Sequence, residues 1–279
     1  MDYSILVNTC DRFEDCWQPF FKLWSIYWKD CTGRIYLNTE YKDYSYPGIN
    51  IIPVKGCAAH HIPRNQRISW SICLRWALES INTDIVLYMQ EDYFLTNKVD
   101  NEKVEYYVSL MENNPDITCI QLTSEGIPAT NKSSIDQLYH SDNNYFSYVS
   151  CQASLWRKDV LLKLIRDYET AWNFEWWGSK RAKYMGLDFL TVDKNIVKKD
   201  GYQIIPYVFT GVIGGKWNKD VVKLFEEHGI TMDYTHRGFH SNQKPTLKKR
   251  IKTKRDMLKI RSLLEIWFLK YAQKNKSMI

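Results

Sequence analysis

The 279-residue chain contains no run of about eighteen apolar residues, so no segment of it reads as a membrane-spanning helix. Its start has neither a basic stretch leading into an apolar segment nor a small-residue cleavage site, and Met1 to Cys10 reads as a first β-strand instead of a signal peptide. It has no Cys-x-x-Cys pair. Seven cysteines stand at 10, 16, 31, 57, 73, 119 and 151, an odd number without zinc-ribbon spacing, as expected of reduced, mostly buried thiols in the cytosol. A glycine-rich phosphate loop, a Ser/His/Asp order and His-Glu-x-x-His are all missing, which removes the usual evidence for P-loop, serine-hydrolase and zinc-protease chemistry. His60 and His61 are adjacent, point apart on a strand and lack zinc-ligand spacing. Internal repeats and low-complexity linkers are absent too.

What is present is a core. Hydrophobic residues make up 44% and aromatics 15% of the chain, enough for one α/β domain with an appendage. The formal charge of +6 conceals an asymmetry. Residues 244–279 hold twelve Lys or Arg against two acids, which leaves 26 of the 38 basic and 30 of the 32 acidic residues for the remainder. The body is mildly acidic and the tail strongly basic.

Ser4 to Cys10 is a short apolar run followed at once by Asp11-Arg12, the pattern of a buried parallel strand that presents polar residues at its C-terminal end. Helical spacing over Phe13 to Trp28 follows, then strands at Arg34 to Thr39 and Asn50 to Val54, and a long helix over Arg67 to Ile81. Asp84 to Met89 is almost wholly apolar and ends in Gln90-Glu91-Asp92, which makes it the expected central strand. A helix over Asn101 to Asn113 and a strand over Ile117 to Leu122 come next, then a polar loop over Ser124 to Asn144. One or two strands over Tyr145 to Leu155 and a helix over Lys158 to Glu169 continue the alternation. Gly211 to Gly215 reads as a flexible joint, Asp220 to His228 as a short helix closed by Gly229, and Asp233 to Asn242 as an irregular polar strip. Alternating strands and helices argue for a mostly parallel sheet covered on both faces.

Ligands of such sheets gather at the carboxyl ends of the strands. Asp11 and Arg12 after the first strand, and Gln90, Glu91 and Asp92 after the fourth, are therefore the candidates. A carboxylate there can hold a divalent cation against a diphosphate. The plainer alternatives are that Asp11 caps the Phe13 helix and that Glu91 and Asp92 only end a strand.

Asn8-Thr9-Cys10-Asp11-Arg12, Tyr88 to Phe94, Gln152 to Arg157 and Trp172 to Glu175 together make residues 3 to about 240 resemble bacterial GT-A glycosyltransferases. The resemblance implies a GT-A, Rossmann-like, mostly parallel sheet flanked by helices over 1–243, with a basic amphipathic helical tail over 244–279. It implies transfer of a sugar, a hexose in the simplest case and with inversion, from a nucleoside diphosphate sugar, UDP-sugar favoured. The acceptor is a hydroxyl of a glycan or lipid-linked molecule in surface polysaccharide or lipopolysaccharide synthesis. On it Thr9, Asp11 and Arg12 hold the nucleoside, Asp92 matches the last acid of an Asp-x-Asp metal motif for Mn or Mg, and Gln90 replaces the first acid with Glu91 between them. Glu175 matches the base that deprotonates the acceptor.

Trp172, Trp176 and Trp177 around Glu175 offer flat surfaces for sugar rings, unless they are core and Glu175 caps a helix; Asp188 is the rival base. Arg64 and Arg67 in the loop before the long helix suit the diphosphate, and Lys216, His236 and Arg237 suit a lid. The tail interleaves Lys and Arg with Leu263, Leu264, Trp267, Phe268 and Tyr271, which suits an anionic membrane surface and a peripheral position on the inner face of the cytoplasmic membrane. Packing back on the domain or on a partner chain is the alternative; nucleic acid is disfavoured because the body lacks a basic face. Two other activities stay open, a sugar nucleotidyltransferase and a non-catalytic glycan-binding or membrane-scaffold protein. The first would want glycine after the first strand, where none occurs.

Overall fold

The computed structural model describes residues 1–241 and 247–276. Its centre is β1 (Tyr3–Asn8), six residues all buried, which pairs in parallel with β2 (Arg34–Asn38) on one side and β4 (Ile85–Gln90) on the other. Side-chain alternation then gives each face a core of its own. Ile5, Val7, Leu87 and Met89 face α1 (Trp17–Tyr27) and α4 (Asn101–Asn113); Leu6, Val86 and Tyr88 face α3 (Trp70–Ser80) and α5 (Lys158–Leu164). Trp17, Phe20, Phe21, Leu23 and Trp24 of α1 are buried, each side chain contributing about 1.5–3 kcal/mol.

The short β3 (Ile51–Pro53) closes the parallel edge beside β2, and α2 (Gly56–Ala59) follows it. Beyond β4 the sheet becomes mixed. β5 (Cys119–Gln121), β6 (Ala129–Lys132), β7 (Leu138–Ser141), β8 (Ser154–Arg157) and β9 (Leu190–Val192) complete nine strands in the order β3-β2-β1-β4-β8-β5-β9-β7-β6. β8 runs antiparallel to both β4 and β5, so its N-terminal end lies at the same edge as the C-terminal ends of β1, β2 and β4. The α/β, Rossmann-like sheet flanked by helices is therefore the architecture of the chain.

Some local expectations are corrected. The polar stretch 124–144 is not a loop throughout: it holds the edge hairpin β6–β7. Residues 145–153 form turns, leaving only β8 as a strand. The residues at 211–215 are not a flexible joint. β10 (Val212–Ile213) and β11 (Lys216–Trp217) form a hairpin closed by Gly214 and Gly215 at φ 60° and 82°, a turn only glycine makes cheaply.

A continuous helical stretch is built from α6 (Ala171–Asn173), a π-turn (Phe174–Gly178) and α7 (Ser179–Tyr184). Thr170 and Asn173 form a capping box at its start. The chain ends in α8 (Asp220–Glu227), α9 (Leu247–Met257) and α10 (Ile260–Lys276). The expected boundary at 243/244 lies outside the described residues. No described helix is long and apolar enough to cross a membrane.

Candidate functional site

The strand ends converge as their sequence positions imply. Asn8, at the end of β1, sits in register between Asn38 of β2 and Gln90 of β4. Its amide donates to the Tyr88 hydroxyl at 3.0 Å and its carbonyl accepts from Asn38 Nδ2 at 2.8 Å. This buried polar row aligns the ledge on which the next residues stand.

Asp11 does not cap a helix side chain to backbone in the expected way. It is the first residue of a 3-10 turn, Asp11–Cys16, and its two carboxylate oxygens accept from the Glu40 and Tyr41 N–H groups, each at 2.9 Å. Glu40 Oε2 accepts in return from the Asp11 N–H at 3.2 Å. The two acids form a reciprocal clasp between the loops after β1 and β2. Thr9 is also engaged: its hydroxyl accepts from Trp17 Nε1 at 2.9 Å. Both side chains thus hold the loops at this sheet edge in shape through their own backbone and core partners. Arg12, Arg64 and Arg67 are exposed, Arg64 lying 4.8 Å over the Tyr41 ring.

Glu91 and Asp92 are both buried, as few acids are without a partner. Asp92 Oδ2 accepts from the Thr210 hydroxyl and, at 3.0 Å, from the Val212 N–H, while the Gly211 N–H donates to the Asp92 carbonyl at 2.9 Å. Asp92 Oδ1 is buried with no hydrogen-bond partner. Burial pushes the Asp92 carboxyl up, against the pull of the Thr210 and Val212 donors. Burial, then the neighbouring Asp92 charge, push Glu91 well above the carboxylate range, opposed more weakly by Arg237. An orphaned carboxylate oxygen beside a second buried acid is a donor set that fits a hard divalent cation. Gln90 is half-buried beside them.

The 233–241 strip folds over this edge. Arg237 makes two 2.5 Å bonds to the carboxylate of Asp15, donates to the Arg12 carbonyl at 3.0 Å, and lies 4.3 Å over the Phe13 ring. Of the three residues expected in a lid, Arg237 is thus bound to the β1 side, and Lys216 and His236 are exposed.

Glu175 occupies the π-turn, a feature that often marks functional positions. Its Oε1 accepts from the Cys151 N–H at 2.8 Å, and burial raises its pKa against that bond. The same residue, Cys151, is tied to the acidic strand end, because the Tyr93 hydroxyl donates to the Cys151 carbonyl at 2.8 Å. Tyr93 stacks on Tyr207 with centroids 4.6 Å apart, and the Tyr207 hydroxyl donates to Gln152 Oε1 at 2.8 Å. One buried residue therefore links Glu175 to the residue after Asp92. Asp188 stands at the N-terminal end of β9, the opposite edge of the sheet, and is held by His140 at 2.6 Å.

The three tryptophans separate. Trp172 is 74% exposed and Trp176 half-buried with Lys180 4.2 Å over its ring. Trp177 is a correction: it is buried, and its Nε1 donates to the Met257 carbonyl at 2.9 Å, so it anchors the tail and offers no face to a ligand. Glu40, Tyr207 and Thr210 were not singled out by sequence reasoning. Glu40 carried a usable signal, being an acid directly after a strand end like Asp11; Tyr207 and Thr210 carried none, since they reach the site only through the later turn.

No family model matches the chain, and no curated protein matches it. Solved structures are similar to part of it. S. aureus TarS 1-349 is similar over 69% of this chain at 10% identity and a TM-score of 0.45, this chain spanning 58% of that one. Glucosyl-3-phosphoglycerate synthase from Mycobacterium tuberculosis, in complex with Mn2+, UDP and glucosyl-3-phosphoglycerate, is similar over 67% of this chain and 66% of that one, with 10% identity and a TM-score of 0.40. CMP:2-keto-3-deoxy-manno-octonic acid synthetase complexed with CTP is similar over 68% of this chain and 89% of that one, with 12% identity and a TM-score of 0.39.

Proposed function

We propose that this chain is a nucleotide-sugar-dependent glycosyltransferase of the GT-A type that passes a sugar, with inversion, to a hydroxyl of a membrane-associated glycan acceptor. One observation carries the reading: the backbone of Cys151 bonds Glu175 through its N–H and Tyr93, next to Glu91-Asp92, through its carbonyl. Two carboxylate stations at one sheet edge suit a reaction that must both neutralise a leaving diphosphate and take a proton from an attacking hydroxyl.

In this reading the nucleoside lies against the wall that the Asp11–Glu40 clasp and Thr9 hold in shape, with UDP-sugars the first donors to test. Arg12, Arg64 and Arg67 are the exposed cations available to the diphosphate. Asp92 Oδ1, with Glu91 and Gln90 beside it, would hold a divalent cation, Mn or Mg, whose charge favours departure of the nucleoside diphosphate. Glu175 accepts the acceptor proton through the oxygen left free by its bond to Cys151, and its raised pKa strengthens it as a base. Trp172 and Trp176 supply the surfaces on which the acceptor sugar stacks.

The tail supports the membrane part of the proposal. Ile260, Leu263, Leu264, Trp267, Phe268 and Tyr271 form one i, i+3, i+4 stripe along α10 and are all exposed. An apolar stripe with Trp and Tyr, next to the Lys/Arg-rich α9, suits the headgroup boundary of an anionic bilayer and supports a peripheral position on the inner face of the cytoplasmic membrane.

Glu175→Gln and Asp92→Asn test the division of labour. With UDP-sugar and a glycan acceptor, Glu175→Gln is expected to lower kcat for transfer by about 10²–10⁴-fold while donor binding persists. Asp92→Asn is expected to lose donor turnover, including hydrolysis without acceptor. Wild-type protein that binds glycan but turns over no nucleotide sugar would make it a binding module; formation of nucleotide sugar from nucleoside triphosphate and sugar would make it a nucleotidyltransferase.

A further inference from the structure

A second cluster of ligating groups stands behind the Asp11–Glu40 clasp. The carboxylate of Glu40 and the thiols of Cys57 and Cys73 present donor atoms that all lie within 4.8 Å of one another. Cys57 and Cys73 are buried and unbridged, and Glu40 is half-buried. The three come from three segments: the loop after β2, α2 and the first turn of α3.

Main-chain bonds hold them in place. The Ala58 N–H donates to the Glu40 carbonyl at 3.1 Å and the Gly56 N–H to the Thr39 carbonyl at 2.9 Å, which fastens α2 to the loop after β2. The Ile62 N–H donates to the Cys57 carbonyl at 2.9 Å. Ser69 caps α3, accepting from the Ile72 N–H at 3.2 Å, and the Cys73 N–H donates to the Ser69 carbonyl at 3.2 Å. Of the two Glu40 carboxylate oxygens, Oε2 carries the bond from Asp11. The His60 ring stacks on Trp76 with centroids 3.9 Å apart, and its Nδ1 bonds the Gly56 carbonyl at 2.9 Å, so His60 braces α2 against α3.

We propose that Glu40, Cys57 and Cys73 form a structural site for a thiophilic divalent cation, Zn2+ in the first instance, with a water molecule as the fourth ligand. Zinc takes thiolate sulfur at about 2.3 Å and carboxylate oxygen at about 2.0–2.2 Å in tetrahedral array. Such bond lengths put ligands roughly 3.5–3.8 Å apart, so donors within 4.8 Å of one another need to close by about 1.0–1.3 Å at most. Both thiol protons leave when the thiolates bind, which makes affinity rise with pH. Without a cation the thiols stay protonated, because burial raises both, and each acidic neighbour, Glu40 included, adds to the shift. The site is distinct in ligand type from the oxygen-only set at Asp92. Its effect would be to lock α2 and α3 onto the loop that Asp11 clasps, stiffening the wall on the donor side.

Cobalt(II) is the probe, added to the full-length chain with all thiols reduced. One equivalent is expected to give a thiolate-to-cobalt charge-transfer band that Zn2+ abolishes by displacement. Cys57→Ser and Cys73→Ser are each expected to weaken cobalt binding at least tenfold and Glu40→Gln several-fold, whereas Cys31→Ser and Asp92→Asn keep it. Retention of the Asp92→Asn signal separates this site from the cation site of the proposed transfer reaction. Since the serine variants also alter a packed region, a wild-type measurement stands beside them. One equivalent of Zn2+ is expected to protect Cys57 and Cys73, and not Cys10 or Cys31, from alkylation mapped by peptide mass spectrometry. No charge-transfer band in reduced wild type, a band unchanged in both serine variants, or equal labelling with and without Zn2+ overturns the proposal.

Discussion

Glu91 shows what the acidic strand end does to the stability of the protein as well as to its chemistry. A buried acid whose folded pKa lies above its unfolded value favours the protonated form, so the folded state loses stability as pH rises from the ordinary carboxylate range through that raised pKa. Glu91→Gln is therefore expected to raise the melting temperature at pH 8 without added divalent cation. The gain should fade as pH is lowered below the raised pKa, and thermal melts across pH read it directly. Glu175 follows the same direction on the rate side. The proposed transfer uses its carboxylate as base, so the acid limb of the rate profile should lie above the range of an exposed glutamate and vanish in Glu175→Gln. Gly211 serves the site by having no side chain: a Cβ there would stand 2.2 Å from a Phe94 ring carbon and 2.8 Å from the Asp92 carbonyl. Gly211→Ala is expected to cost about 1–3 kcal/mol of unfolding free energy in denaturant titration and to lower donor turnover, by pushing the 210–212 turn off Asp92.

At the scale of elements, α10 docks by its polar side. Arg181 and Glu169 form a fully buried pair, with Arg181 Nη2 to Glu169 Oε2 at 2.5 Å, and Ser262 of α10 donates to Glu169 Oε1 at 3.3 Å. Glu265 of α10 accepts from Arg166 Nε at 2.9 Å. Removing the Glu169 charge leaves the fully buried Arg181 with only its longer 3.5 Å contact to Glu265, so Glu169→Gln is expected to destabilise by up to about 3–5 kcal/mol and to loosen α10, readable by hydrogen exchange over 260–276. These contacts explain which parts of the molecule were legible beforehand. β1 and β4 announce themselves because they are apolar and central, and their ends are abrupt. The β6–β7 hairpin did not, because Ala129 to Lys132 is a polar, solvent-facing edge, and β7 joins it to the sheet only through β9, which is distant in sequence. Trp177 was misread since an aromatic beside an acid has the same spacing whether it faces a ligand or the Met257 carbonyl. Glu40, Cys57 and Cys73 have no motif spacing at all; only the crossing of three segments joins them.

For the whole molecule, the mildly acidic body and basic tail define two ends. The helical stretch that carries Glu175 is bonded to the α9–α10 junction through Trp177 to the Met257 carbonyl and Asn173 Nδ2 to the Asp256 carbonyl, the latter at 3.2 Å. A membrane-bound α10 would therefore bring the helical stretch that carries Glu175 near the lipid surface. The full chain is expected to co-sediment with anionic vesicles and to release as salt shortens the screening length from about 8 Å at physiological ionic strength to about 3 Å at 1 M. Trp267 and Phe268, 67% and 63% exposed, should each contribute about tenfold to that binding, read by their Ser variants. Equal binding to neutral vesicles, or no loss in the double Ser variant, would contradict the membrane reading. The proposed transfer requires a nucleotide-sugar site. A thermal-shift panel of UDP-, GDP-, dTDP- and CMP-sugars, with and without Mn2+, tests it most directly: stabilisation by one nucleotide class, strengthened by Mn2+ and abolished in Asp92→Asn, is the expected result, and a panel in which no nucleotide sugar shifts the wild-type melt would contradict it.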